Sequence, residues 1–463
     1  MSTPMNVTRR GFLSSAAVVA AELLSPVFAD ETNNAAENPK TPVWDGSLKA
    51  IRFKFDVTPP VGAQIAFSKN ERTDAPIYVS GAVIDDGVTR VVWCSCDFLY
   101  IIGSAYDLWR EKLAEVAQVP VDHVFLHSVH QHDSIRVSLA DDVCPVPDDD
   151  CCLPIDETWQ TSTLDAITGQ LRTLVAGSWT PISQVMTAER RVSGLAANRM
   201  AFDKNGKMHW RGGMCTDPVA QSLPTGLIDP FLRTICLTSR DDHQPFIAFH
   251  FYATHPQSAY RRKMVGPDVP GFAVHYAEEH TQNCVHVYFN GCGANLSFGK
   301  YNPSGDAHAI ELLGTRLGTA IVENMKVLTP TRSGPITLAH APVLVPIDWS
   351  RIERRDPDSL ALVKRVLPQR QTSHISLASL GPDVHFLSFG LGELCIEYQL
   401  YAQSIVPESF LATAAYSDCY YQYMHVGEMI KKQIGEGAPG SCWALPEIET
   451  VLHEAIRNVL AEI

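Results

Sequence analysis

Residues 88–132 decide the fold through three consecutive segments: VTRVVWCSCDFLYI (88–101), AYDLWREKLAEVAQ (105–118) and HVFLHSVHQH (123–132). The first and third are short apolar runs typical of buried strands, and the second has the apolar spacing of a helix. Together they predict a strand–helix–strand unit with polar side chains where the strands end. Such strand exits are where α/β folds place their chemistry.

The same order recurs further along the chain. QPFIAFHFYATHP (244–256) predicts a strand, GFAVHYAEEHTQ (271–282) a helix, and VHVYFNGCGANLS (285–297) a strand ending in a glycine-rich turn. The recurrence admits two interpretations: a distant internal repeat, or two βαβ-type units within one sheet. Further strands are predicted at 48–62, 335–347 and 383–393, and helices at 358–367 and 447–463. We therefore predict an α/β fold: one large domain with a mixed β-sheet and flanking helices, and catalytic residues at strand exits.

Composition restricts the partners. The chain has 463 residues and a formal net charge of −14, which repels nucleic-acid phosphate and disfavours adsorption of the whole surface to an anionic bilayer. Its 12 cysteines form no CxxC pair, so zinc-ribbon and thiol-redox motifs are excluded. Cys94 and Cys96 would share one strand face as buried thiols. A disulfide among Cys144, Cys151 and Cys152 is expected if the compartment is oxidising.

The N-terminus predicts export. Residues 8–13 read TRRGFL, a twin-arginine signature, and a largely uncharged stretch follows up to Ala29. We expect residues 1–29 to be a twin-arginine signal peptide, 30–47 a linker and 48–463 the catalytic domain, with a periplasmic or secreted location. The uncharged run is shorter than the roughly 20 residues that span a bilayer, and no later segment reads as transmembrane.

Four residues at strand exits are candidates for metal chemistry. If His130 and His132 lie on a strand, their i, i+2 spacing puts both imidazoles on one face, and Asp133 could orient one of them. His255 and Glu393 end two other strands. Each has a simpler alternative, a polar strand end or a solvated loop charge, just as the tyrosines 420, 421 and 423 could serve only for aromatic packing.

Two further features could act on negative charge. The loop NGCGANLSFGKYN (290–302) could present backbone N–H groups to an oxyanion, and Arg199 could stabilise a developing negative charge. The loop lacks the glycine spacing of a nucleotide site.

Taken together, these motifs resemble the catalytic domain of the neutral (non-lysosomal) ceramidases and their bacterial relatives. The matching segments, from residue 55 onward, are VHQH (129–132), ANR (197–199), GLIDP (226–230), ATHP (253–256), GCGANLS (291–297) and Gly392-Glu393.

The resemblance implies a zinc-dependent hydrolase that cleaves an amide bond in a small-molecule or lipid substrate by metal-activated water. It implies these roles: zinc ligands His130, His255, Glu393 and Tyr423; general acid/base His132; stabilisation of the tetrahedral intermediate by Arg199 and Tyr423; and a place beside the scissile bond for Ser297.

Three departures from the family pattern bear on the substrate. Gly435 stands where the family has a second catalytic tyrosine, Asp133-Ser134 replaces a Ser-Gly pair, and no segment resembles the family's C-terminal immunoglobulin-like domain. Two alternatives follow: a homologue that binds metal or ligand without catalysis, and a metal-dependent esterase or phosphoesterase.

Overall fold

The computed structural model describes residues 44–139, 156–258, 261–352 and 357–463. The expected signal peptide, most of the expected linker and the cysteines at 144, 151 and 152 lie outside the described residues. Residues 43–463 form one compact unit. In the described part of the chain, no helix combines the length and apolar character that a membrane-spanning segment requires.

The larger of two main sheets has eight long strands. They are β1 (Lys49–Asp56), β2 (Tyr78–Asp85), β3 (Arg90–Cys96), β4 (Val124–Ser128), β5 (Thr180–Arg191), β6 (Phe231–Ser239), β7 (Pro245–Tyr252) and β8 (Val285–Asn290). Their order is β8-β7-β6-β5-β1-β2-β3-β4, and the short strand Thr329–Pro330 also pairs with β5. Only the two end pairs, β3–β4 and β7–β8, are parallel. The sheet is therefore mixed, as predicted.

The second sheet comprises β9 (Ile336–Leu344), β10 (Thr372–Leu380), β11 (Val384–Phe389) and β12 (Phe410–Ala414), in that order. The long helices are α1 (Gly103–Ala117), α2 (Glu157–Val175), α3 (Asp268–His280), α4 (Ala307–Met325), α5 (Pro357–Val366), α6 (Ile396–Ile405) and α7 (Ile448–Leu460).

Shorter elements complete the description. The short helices are Pro218–Ser222, Trp349–Ile352 and Gly427–Lys432, and the 3-10 turns are Val121–His123, Gly299–Tyr301, Leu367–Arg370, Cys419–Tyr421 and Gly435–Gly437. Strands of two or three residues are Gln64–Ile65, Ser68–Lys69, Arg72–Thr73, Tyr100–Ile101, Arg136–Val137, Ala197–Asn198, Met200–Phe202, Met208–Trp210, Met264–Val265, Leu296–Ser297, Glu393–Leu394 and Tyr423–Met424.

The alternation of side chains along β3 shows how the layers form. Cys94 and Cys96 point toward a core shared with α1 and α2, while Trp93 points toward the second sheet and contacts Phe249 and Phe386 at ring-centroid distances of 5.0 and 4.9 Å. Both cysteines are buried free thiols on one face, as expected. The second sheet in turn packs against α6 and α7. The result is four layers: helices, sheet, sheet, helices.

Both predicted strand–helix–strand units are present, one at each end of the larger sheet: β3–α1–β4 and β7–α3–β8. A buried hydrogen-bond chain joins the two ends. The backbone N–H of Asn290 donates to His127 Nε2 (3.0 Å), so Nδ1 of this neutral ring carries the proton, 3.0 Å from Ser95 Oγ. Ser95 Oγ donates in turn to the Tyr288 carbonyl (2.6 Å). Burial lowers the pKa of His127 to about 3, which keeps the ring neutral. This hydrogen-bond chain holds the two ends of the larger sheet together, so the segments that follow β4 and β7 lie close to each other.

Candidate metal centre

His130 lies beyond the end of β4, which stops at Ser128. Its backbone has φ +70°, a left-handed conformation that a strand cannot contain. The prediction that His130 and His132 lie on one strand face is therefore wrong. Hydrogen bonds from the backbone N–H groups of Val129 and His130 to Cys96 and Phe98 hold the turn. His130 Nδ1 donates to the Leu99 carbonyl (3.0 Å), which leaves the lone pair of Nε2 available.

Three histidines nevertheless converge. One imidazole nitrogen from each of His130, His132 and His255 lies within 4.8 Å of the other two. Among the described residues, no other group of three or more His, Cys, Asp or Glu side chains meets this criterion. His255 comes from the loop after β7, and its Nε2 lies 3.2 Å from His130 Nε2. All three residues are buried. The hydrogen-bond chain between the two ends of the larger sheet thus brings together histidines that follow β4 and β7.

Glu393 adds a carboxylate to this point. Its Oε2 lies 3.2 Å from His130 Nε2 and 3.8 Å from His255 Nδ1, while Oε1 accepts a hydrogen bond from Tyr100 (3.3 Å). Glu393 is buried, and Oε2 has no hydrogen-bond partner among the described residues. Because the Nε2 of His130 is an acceptor, Oε2 faces an atom that cannot donate to it. A buried carboxylate oxygen without a donor is costly, and a cation held between Glu393 and the imidazoles would remove that cost.

The backbone around Glu393 explains its placement. Glu393 pairs in parallel register with Tyr423 through the strands Glu393–Leu394 and Tyr423–Met424. Gly392 has φ +50°, and a Cβ there would lie 2.4 Å from the Gln422 carbonyl. Only glycine permits this approach, so the Gly392-Glu393 pair is a structural requirement of the site.

The aromatic side chains beside the cluster differ in their contacts. Tyr423 is stacked on His255 at 6.3 Å between centroids, and its hydroxyl accepts from Arg199 Nη1 at 3.4 Å. Burial and the nearby Glu393 carboxylate raise the pKa of Tyr423 above its usual value. Tyr416, which the sequence analysis missed, is stacked on His130 at 4.4 Å, with its hydroxyl 3.5 Å from His255 Nδ1. It lies just after β12, so the same strand-exit rule would have identified it.

His132 is oriented by a backbone carbonyl. Its Nδ1 lies 2.9 Å from the Pro256 carbonyl and 3.2 Å from the His130 carbonyl, so Nδ1 carries the proton and Nε2 is the unprotonated nitrogen. Burial lowers the pKa of His132 well below its usual value, which keeps the ring neutral. The expectation that Asp133 orients an imidazole is wrong, because its carboxylate instead pairs with Arg262.

Arg199 is buried among polar side chains that accept its hydrogen bonds. Its guanidinium donates to Glu436 Oε1 (3.1 Å), Gln257 Oε1 (3.3 Å) and the Tyr423 hydroxyl. Burial lowers the pKa of Arg199, but Tyr423 and Glu436 together raise it above its usual value, so the group stays charged. Glu436 was missed by the sequence analysis, although it directly follows Gly435, where a departure from the family pattern was noted.

Ser297 and its loop have other contacts. Ser297 Oγ donates to the Arg211 carbonyl (2.7 Å) and accepts from the Gly299 N–H (3.3 Å). The N–H groups of Gly291, Cys292 and Ala294 bond to Tyr252, Gln399 and Leu394 respectively. These N–H groups are therefore committed to holding the loop, contrary to the expectation that they face an oxyanion.

Comparison with solved structures gives several similar chains, and two of them are ceramidases. One is a ceramidase complexed with C2, with a TM-score of 0.66 and 14% identity, covering 90% of this chain and 75% of the other. The second is a neutral ceramidase from Pseudomonas aeruginosa, with a TM-score of 0.67 and 13% identity, covering 90% and 74%. This chain has the neutral ceramidase fold. No protein-family model matches the sequence, and a search of curated proteins finds no match either. The fold is therefore shared with these ceramidases at 13–14% sequence identity, a level at which the comparisons of sequence found no match.

Proposed function

We propose that this chain is an exported, zinc-dependent amidohydrolase that cleaves an N-acyl amine. The observation that supports it is the buried meeting of His130 Nε2, His255 Nε2 and Glu393 Oε2, in which a carboxylate oxygen has no partner among the described residues. Two imidazoles and a carboxylate are a donor set that zinc prefers in catalytic sites.

The residues fit such an ion. His130, His255 and Glu393 would hold it, with Tyr423 as the further ligand that the family resemblance implies. Zinc bound there would lower the pKa of a bound water to about 7 and polarise the amide carbonyl. Leu99 and Tyr100 keep the ligands oriented, since Leu99 accepts from His130 Nδ1 and Tyr100 donates to Glu393 Oε1.

His132 and Arg199 supply the remaining chemistry. With Nδ1 committed to the Pro256 carbonyl, His132 can accept a proton at Nε2 and deliver it to the leaving amine. Arg199 and Tyr423 are adjacent donors, and together they would stabilise negative charge as it develops on the carbonyl oxygen. Because both groups are buried, this interaction is stronger than it would be in water.

The substrate class follows from the fold and the resemblance together. Both similar structures are ceramidases, which favours an amide of a fatty acid among N-acyl amines. We extend the proposal to a lipid amide, ceramide-like or other, and to a periplasmic or secreted location, which the motif at residues 8–13 favours.

The test combines elemental analysis with hydrolysis of N-acyl amines. We expect about one zinc per chain, loss of zinc in His130→Ala, and retained zinc with at least a hundredfold lower kcat in His132→Ala. His385→Ala is the matched control, since His385 is also buried but bonds to Ser379 away from the cluster. Zinc-free protein with full activity, or equal activity in His132→Ala, would overturn the proposal.

A second function, metal or ligand binding without catalysis, is favoured by the surroundings of Gly435. A Cβ at this position would lie 2.8 Å from Met200 Sδ, so the space beyond it is filled. This alternative predicts zinc binding with no turnover of N-acyl amines, esters or phosphoesters. The same substrate panel separates an esterase or phosphoesterase, which would cleave those bonds and leave amides intact.

A further inference from the structure

The hairpin of residues 200–210 carries an exposed apolar face. Its strands pair Met200 with Trp210 and Phe202 with Met208, and side chains directly opposed in an antiparallel pair share one face. Phe202, Met208 and Trp210 are 48%, 37% and 45% exposed. On the opposite face, His209 is held by the carboxylates of Asp203 and Asp217. The apolar side chains are thus presented to solvent by a fixed scaffold.

Apolar exposure is concentrated in this region. Of the fourteen exposed large hydrophobic side chains in the described residues, six lie between positions 202 and 227: Phe202, Met208, Trp210, Met214, Val219 and Leu227. Single exposed apolar residues need no explanation, but a concentration of this kind marks an interaction surface.

The hairpin also adjoins the candidate metal centre. Trp210 lies over the Arg199 guanidinium, with 5.9 Å between Cζ and the ring centroid, and Met200 directly follows Arg199 in the chain. Trp210 thus contacts Arg199, one of the two groups assigned to the oxyanion, and Arg199 donates to the other, the Tyr423 hydroxyl. The apolar face is therefore adjacent to the candidate metal centre through the contact between Trp210 and Arg199.

The charge at the hairpin tip differs from that of the whole chain. Lys204 and Lys207 are exposed there, and the Asp203 carboxylate accepts from the N–H groups of Asn205 and Lys207 and pairs with His209. Two lysines and one aspartate give residues 203–207 a net charge of +1. The net charge of −14 disfavours general adsorption to an anionic surface. The two lysines beside three apolar side chains instead provide a local, oriented attraction to such a surface, about 1 kcal/mol for each lysine near an anionic leaflet, of which the Asp203 charge offsets part.

We propose that the 200–210 hairpin docks on a lipid bilayer containing anionic lipid. Phe202, Met208 and Trp210 enter the boundary between headgroups and acyl chains, where tryptophan is favoured, and Lys204 and Lys207 contact phosphate groups. Docking in this orientation holds the metal centre against the membrane in which a lipid amide resides. The last point rests on the proposed function, whereas the docking itself does not.

The experiment measures co-sedimentation with sucrose-loaded vesicles. The chain is expressed from Asp30 onward, which keeps the compact unit of residues 43–463 and leaves out the apolar stretch before it. One set of vesicles is phosphatidylcholine alone, and the other is an equimolar mixture with phosphatidylglycerol. We expect binding to the mixed vesicles that falls roughly tenfold or more in the double variant Phe202→Gln/Met208→Gln. Lys204→Gln and Lys207→Gln should each lower it about fivefold, on the anionic vesicles only.

Leu312→Gln is the matched control, because Leu312 is also 48% exposed but lies on α4. It should bind like the parent, and circular dichroism confirms that each variant is folded. Equal binding by the double variant, or no binding to either vesicle, overturns the proposal. So does concentration-dependent dimerisation that the double variant abolishes without vesicle binding, since the face would then serve a second copy. Vesicle binding without amidase activity would refute the proposed function alone, and activity without binding would refute docking alone.

Discussion

The substitution Glu393→Gln should stabilise the metal-free protein and destabilise the metal-loaded protein, each relative to the parent. In the metal-free parent, Oε2 is buried 3.2 Å from the acceptor Nε2 of His130 and has no hydrogen-bond partner among the described residues. Leaving such an atom unsatisfied costs about 1–3 kcal/mol. A glutamine amide can donate to His130 Nε2, so the metal-free variant should be about 1–3 kcal/mol more stable than the metal-free parent.

The metal-loaded comparison has the opposite sign. An ion present at about a thousand times its dissociation constant stabilises the native state by about 4 kcal/mol. Glutamine is a poor zinc ligand, so the variant should lose most of this gain. Urea unfolding of both proteins, with zinc and with a chelator, yields the four free energies needed.

The control for this prediction is Glu397→Gln. Glu397 lies on α6 close by in sequence, but its carboxylate accepts from Asn295 (2.9 Å). The chelator should destabilise this variant and the parent equally. The reasoning is refuted if Glu393→Gln keeps the parent's response to zinc, or if its metal-free form is the less stable one.

Three other substitutions test separate features. Glu436→Gln should lower the unfolding free energy by about 3–5 kcal/mol in urea, because it leaves the buried Arg199 guanidinium without a counter-ion; an unchanged midpoint would contradict this. Gly435→Ala should cost about 1–3 kcal/mol, since φ is +57° and the new Cβ would lie 2.8 Å from Met200 Sδ. Adding Met200→Ala should recover only the steric part of that loss. Burial raises the pKa of Asp97 to about 6, so the native state holds this proton more tightly than the unfolded chain and loses stability as the pH rises from about 4 to about 6. Asp97→Asn should therefore raise the unfolding free energy by about 1–3 kcal/mol at pH 8 and change little at pH 4, and a gain at acid pH instead would reverse the sign.

The individual strands and helices could be predicted because their apolar residues recur at the regular spacing of each element. The segments that became β3, α1 and β4 were read correctly, and so was the second unit that became β7, α3 and β8. The pairing of β9 to β12 into a separate sheet could not be predicted. A strand's period shows which face is buried, but not which strand will lie beside it.

The candidate site also has parts that the sequence predicts and parts that it does not. His130, His255 and Glu393 are candidates from the sequence because each follows the end of a strand, and the structure brings all three together. The turn at His130 could not be predicted, since its left-handed backbone depends on hydrogen bonds to residues 96 and 98. Glu436 could not be linked to Arg199 from the sequence, because they meet only through folding of segments far apart in the chain.

The hydrogen-bond chain from Ser95 to Tyr288 has a consequence for assembly. His130 and His255 are 125 positions apart in sequence and belong to opposite ends of the larger sheet. The metal centre consequently has no local precursor: a half-folded chain, or one whose sheet has opened at His127, carries separated ligands with little affinity for an ion. An ion held at this centre would therefore report on molecules that have completed their topology, because its ligands meet only after both ends of the sheet have joined.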